Sequence, residues 1–310
     1  MKIFGGFPAD GGEWETRDWE TNLTTLSGDI GIEGDPSDNS YHVVSADDVN
    51  RLAVLDGFTI TGGHAADFNT FPKDSGGGMY NQNSSLTLTD VIFTRNNILH
   101  GVSGASMWNN NQSSPTLTDV NFSSNGNDYT GGAGMINLTH SSPTLMNVTF
   151  TDNLGGGMVN WDSSNPMLSN VIFSGNSARI GGGMYKNGSS PKLINVVFNG
   201  NSGSRGGGMD NMLSNPILIN VTFSGNTVTA YPEITSLRGD GGGMNNMLSN
   251  PVLSNVTFTE NTASVYGGGM CNADSSQPLL TNVTFWGNDA GGYGGRIATI
   301  TPGIFGKYTS

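Results

Sequence analysis

Four charged residues near the middle of the chain, Asp162, Lys186, Asp210 and Arg205, are of the types that act on sugar polymers. Two carboxylates set on either side of a glycosidic bond can hydrolyse it, one as acid and the other as base. A base beside cations that neutralise a uronate would instead serve elimination, and Lys186, Arg179 and Arg205 supply such charge. Aromatic residues recur along the repeats: Tyr80, Trp108 and Tyr185 in one phase, with Trp161 near them. Rings stack on the apolar faces of sugars while carboxylates, amides and cations bond the hydroxyls. These aromatic and charged residues together form the candidate ligand-binding set, with Asp162, Lys186, Asp210 and Arg205 as candidate catalytic groups.

What must position them is a repeat. Gly181-Gly182-Gly183-Met184-Tyr185, followed by Ser190 to Asn201, is one copy of a unit that recurs almost to the end. Its methionine returns as Met79, Met107, Met135, Met158, Met184, Met209, Met244 and Met270. Its phenylalanine returns from Phe93 to Phe285, each followed three residues later by an asparagine, Asn96 to Asn288. A period in the twenties is the mark of a stacked-repeat architecture. Val196 and Phe198 alternate with polar neighbours at period two, which is a strand with one buried face. Leu193 stands at an odd spacing from Val196, so Asn195 between them reads as a corner in the left-handed region. Three short strands and three corners per unit predict an all-β fold, a right-handed single-stranded parallel β-helix with three sides and about eight regular coils.

Stacking at the strand spacing of ~4.8 Å would align Met, Leu, Val and Phe into internal columns and the asparagines into ladders. By alternation, the residue after each core methionine points outward: Tyr80, Trp108, Ile136, Val159, Tyr185, Asp210, Asn245 and Cys271. Trp161, Asp162 and Lys186 are expected on the same edge. Asp162 and Asp210, two coils apart, would have backbones roughly 9.6 Å apart, near the upper separation for an inverting pair. Flanking loops add His100, Asp128, Tyr129, Arg179, Arg205, Tyr231, Glu233, Arg238, Asp240 and Tyr266 to the rim.

One domain, 1–310, is expected. Residues 1–75 form irregular N-terminal coils and a cap, with Val54 to Gly63 as a degenerate first coil. Regular coils occupy 76–290, and 291–310 finish the core through Ile297, Ile300, Ile304 and Phe305. A net charge of −13 excludes nucleic acid and anionic membranes as partners. No transmembrane run occurs, and the first residues carry no apolar signal-peptide segment. Cys271 is the only cysteine, so no disulfide framework exists. His42, His64, His100 and His140 fall at different phases, which argues against a metal centre. No cofactor is expected, calcium at Asp and Asn in the glycine-rich turns being the one candidate. The glycine clusters lack a Gly-Lys-Ser/Thr sequence, so nucleotide binding is excluded.

Ile3-Phe4-Gly5-Gly6-Phe7, Thr16-Arg17-Asp18-Trp19, Leu26-Ser27-Gly28-Asp29-Ile30 and Asp56-Gly57-Phe58-Thr59-Ile60-Thr61-Gly62-Gly63 carry a resemblance. On these residues the chain resembles bacterial secreted right-handed parallel β-helix repeat proteins. Its Gly-Gly-Gly-Met and Phe-x-x-Asn elements are similar to the repeats of polymorphic outer-membrane proteins and related adhesins. The resemblance implies the fold and an extracellular or cell-surface location, in members that usually carry further N-terminal coils and a C-terminal anchoring domain. The expected role is a monomeric binding or adhesion module presenting a loop-rimmed groove to a polysaccharide or cell-surface glycan. A polysaccharide lyase or glycoside hydrolase using the same groove, and a purely structural spacer, are the alternatives.

Overall fold

The computed structural model describes residues 1–67, 70–98, 106–126, 134–230 and 240–300. Strands pair in parallel, coil upon coil, so that like residues meet. Met184, Leu193, Val196 and Phe198 lie beside Met209, Leu218, Val221 and Phe223. The chain is a right-handed parallel β-helix with one long sheet of 13 strands, a second of 10, and short sheets of 4 and 2 strands.

The odd spacing of Leu193 and Val196 is resolved at the corner. Lys192–Asn199 is one strand, but Asn195 within it has φ 55°, and this left-handed residue lets Leu193 and Val196 both point inward. Leu193, Val196 and Phe198 are each 0% exposed. From Phe93 to Phe285 the rings stack at 4.7–4.8 Å with planes within 6° of parallel. Each buried ring contributes about 1.5–3 kcal/mol through area removed from water.

Both expected amide ladders are present. Along the corner, Asn195 donates to Asn170 and Asn220 to Asn195, each at 3.1 Å. The buried ladder is more fully bonded. Asn201 Nδ2 donates to Asn226 Oδ1 at 3.0 Å and to the Phe173 carbonyl at 2.9 Å. Its Oδ1 accepts from Asn176 Nδ2 and the Asn176 backbone N–H. Glycine is required where coils close. A Cβ at Gly208 would lie 2.6 Å from the Gly243 carbonyl oxygen and 2.9 Å from the Phe223 ring.

One further coil precedes Val54–Thr61. Lys2–Phe4 and Thr25–Ser27 both pair with it, flanking an insertion that includes a single 3-10 turn at Trp14–Thr16. Val44–Asp47 completes that coil by pairing with Met79–Gln82. At the far end Ile297–Ile300 pairs with Met270–Ala273, and Ile297 takes the methionine position. Ile304 and Phe305 lie outside the described residues.

Candidate functional site

The short strands, such as Met184–Asn187, carry the candidate residues. Their registers align Tyr80, Trp108, Ile136, Val159, Tyr185, Asp210, Asn245 and Cys271 in one column, as the alternation requires. The column leaves the main core, but apart from half-buried Tyr185 it does not meet solvent. Tyr80 and Trp108 are 8% and 7% exposed, and Ile136, Asp210, Asn245 and Cys271 are buried as well. The expected open groove at this position is therefore a second packed layer.

Its cover is the segment that links one coil to the next. Gly206 and Gly241 have φ 61° and 72°, angles that turn the chain back across the outer side of the short strands. A Cβ added at either would lie 2.7 Å from the Cβ of Asp210 or Asn245. Arg205, Asp240, Tyr266 and Tyr293 continue this cover as a row of parallel bridges. At the other end of the column Tyr80, Trp108, Ile136 and Val159 form an apolar cluster, against which Trp161 and Tyr185 pack half-buried.

Further along, the layer becomes polar. Asp210 accepts from Arg205 Nη2 at 2.8 Å and from Arg205 Nε at 3.2 Å. Asn245 Nδ2 donates to the same carboxylate at 2.6 Å. Burial works against the Arg205 charge, but the attraction and hydrogen bonds of Asp210 outweigh it and hold the guanidinium pKa above its ordinary value. The Tyr185 hydroxyl is pushed up by burial and by the Asp210 charge. Asp210 and Arg205 thus neutralise each other under the cover, which removes them from the solvent-facing chemistry expected of them.

Lys186 departs further from expectation. It lies inside the helix bore, fully buried, with Nζ 3.7 Å from Met184 Sδ. Burial lowers its pKa well below the usual lysine value, and Asp210 offsets this only in part. The reason is parity: Lys186 is two residues after Met184 and so shares its inward side. Asp162 is exposed at a corner with φ 53°. The residue before it, Trp161, pairs with Asn187 and then Met212, so Asp162 does not stand opposite Asp210. The two carboxylates cannot serve as the expected pair. Arg179 is exposed on a linking segment.

What remains at the surface is a small aromatic edge. Trp161 and Tyr185 lie edge to face with ring centroids 6.2 Å apart, and Tyr185 Oη donates to Met212 Sδ at 3.7 Å. Asp162 adjoins it. His100, Asp128, Tyr129, Tyr231, Glu233 and Arg238 lie outside the described residues. Among the described residues, no group of three or more His, Cys, Asp or Glu side chains converges on a metal position.

A third amide ladder, buried like the second, explains the environment of Lys186. Asn81 donates to Asn109, Asn109 to Asn137 and Asn137 to Asn160, at 2.7–2.8 Å. The ladder resumes from Asn211 to Asn246 and Asn272. Lys186 occupies the missing rung, and Asn160 Nδ2 and Asn211 Oδ1 on either side have no hydrogen-bond partner. The signal is visible in the sequence as Met-x-Asn in every regular repeat but the one with Met184-Tyr185-Lys186.

No curated protein and no solved structure matches the chain significantly. Among the described residues, no helix is long and apolar enough to cross a membrane. The sequence model of the right-handed β-helix region matches residues 56–228, more than half of the 310 residues. The chain belongs to the right-handed β-helix family.

Proposed function

We propose that the chain is a non-catalytic binding module of a secreted or cell-surface protein, which holds a polysaccharide or cell-surface glycan against its rim. The observation that carries this reading is the separation of the candidate residues. Lys186, Asp210 and Arg205 are withdrawn from solvent, while Trp161, Tyr185, Asp162 and Arg179 keep accessible surface. An edge-to-face aromatic pair beside an exposed carboxylate can stack on a sugar ring and bond its hydroxyls. Among the described residues it lacks the second opposed carboxylate that hydrolysis needs. The adhesive role of similar repeats fits a rod that places such an edge at a distance from its attachment.

A panel of neutral and acidic polysaccharides tests it, with binding measured by calorimetry and turnover by reducing ends and by absorbance of unsaturated products. The expected outcome is binding without product, weakened about tenfold or more in Trp161→Ala, the loss of one good stacking contact. Product release would replace the module with a lyase or hydrolase. No binding to any polymer would leave a spacer.

A further inference from the structure

The outer side of the long strands carries a regular array of its own. Beyond the asparagine corner, two outward ranks run in register through nine coils, from Thr59 and Thr61 to Thr284 and Trp286. Of these eighteen places, nine hold threonine and three hold serine. Ile92, Ile172 and Val197 share the branched Cβ of threonine, and Asn121, Asn199 and Trp286 complete the ranks. No place holds a charge, although the chain as a whole carries −13. All eighteen residues keep solvent exposure.

Threonine suits any half-exposed strand, so composition alone assigns nothing to this face. Its shape adds what composition lacks. Ordinary sheets turn by about 20–25° from one strand to the next, and flat ones of many strands are unusual. Here the rings beneath the array stay within 6° of parallel between successive coils from Phe93 to Phe285. The outer face is therefore close to a plane. Its places repeat along the axis at the ring separation of 4.7–4.8 Å. The two ranks lie roughly 6.6 Å apart, two residues along an extended strand. A branched Cβ restricts χ1, which favours one orientation of methyl and hydroxyl from coil to coil.

We propose that this face binds ice. Hexagonal ice presents flat planes of oxygen atoms whose shorter repeat is close to the coil rise. Waters held by the hydroxyls of successive coils, and ordered by the methyl groups beside them, can join such a plane with little displacement. A face without charge also keeps no ionic hydration shell for the crystal to strip. A rigid array roughly 38 Å long gains most against a partner that is equally rigid and periodic. Crystalline polysaccharide is rigid as well, but a flat sugar surface calls for aromatic platforms, and the array offers only Trp286 at its end. The inference is independent of the glycan rim, which lies on the short strands.

Ice-affinity partition of the full chain, together with microscopy of ice recrystallisation, tests the proposal. The expected result is uptake of the chain into slowly grown ice and inhibition of recrystallisation at micromolar concentration. Thr222→Arg with Thr257→Arg, in adjacent coils at the middle of the array, should abolish both effects. Their melting temperature should match that of the unaltered chain, because both side chains point outward, and this separates a lost face from a lost fold. Ser254→Arg, outward on the same strand but before the corner at Asn255, should leave both effects intact. Exclusion of the unaltered chain from ice overturns the proposal. So does activity that survives the double variant, or that Ser254→Arg removes equally. Adsorption to crystalline cellulose through the same threonines, without uptake into ice, would assign the face to a polysaccharide surface and overturn it too.

Discussion

Two buried charged groups one coil apart show how differently the same burial can be accommodated. Asp210 lies in the outer layer, saturated by Arg205 and Asn245. Lys186 lies in the bore with, among the described residues, a thioether as its one hydrogen-bonding neighbour, and it breaks an amide ladder on both sides. Both are 0% exposed. The difference lies in partners: a desolvated charge is tolerable when an opposite charge and further hydrogen bonds replace its water. The coil-linking segment brings Arg205 over Asp210, whereas nothing of opposite charge can enter the bore beside Lys186.

Breaking the satisfied side should have the largest effect. Asp210→Asn leaves the Arg205 guanidinium buried without its counter-charge and should cost about 3–5 kcal/mol in chemical denaturation. If the loss is under 1 kcal/mol, the segment over Asp210 is not held in place by the pair. An intact ladder offers the next test. Asn201→Ala removes four hydrogen bonds and takes a partner from buried groups on the two neighbouring coils, the Phe173 carbonyl and the Asn176 N–H among them, for a loss of roughly 3 kcal/mol.

Repairing the unsatisfied side should move stability the other way. Lys186→Asn restores the rung between Asn160 and Asn211 and removes an unpaired buried charge. A gain of about 1–3 kcal/mol is expected; a loss would mean that the lysine stem fills space the amide leaves empty. The smallest effect is in pH dependence. The folded pKa of Lys186 lies below the ordinary 10.5, so between these values the unfolded chain binds a proton that the folded chain does not. Wild-type stability should therefore rise relative to Lys186→Asn as pH increases through that window, and the difference should level off below it. A difference that is flat with pH would show that Lys186 stays charged in the fold.

Much of this architecture was legible beforehand because stacking turns a linear period into a spatial column. Leu193, Val196 and Phe198 could be placed inside, and Asn195 at a left-handed corner, from spacing alone. Lys186 was legible too: its parity with Met184 points it inward, and only the habit of placing lysine in solvent argued otherwise. The Met-x-Asn ladder needed the repeats laid side by side, since one asparagine two residues after a methionine carries no signal by itself.

The sequence by itself determined the coil, its columns and its ladders, because each depends on local alternation and on like residues meeting at a fixed rise. Only the tertiary structure decided which outward residues meet water. That outcome depends on glycine turns folding segments of unequal length back over the strands, and their path is set by contacts between coils. Through it Asp210 and Arg205 became a buried pair, Asp162 was left alone at a corner, and Trp161 with Tyr185 remained at the edge.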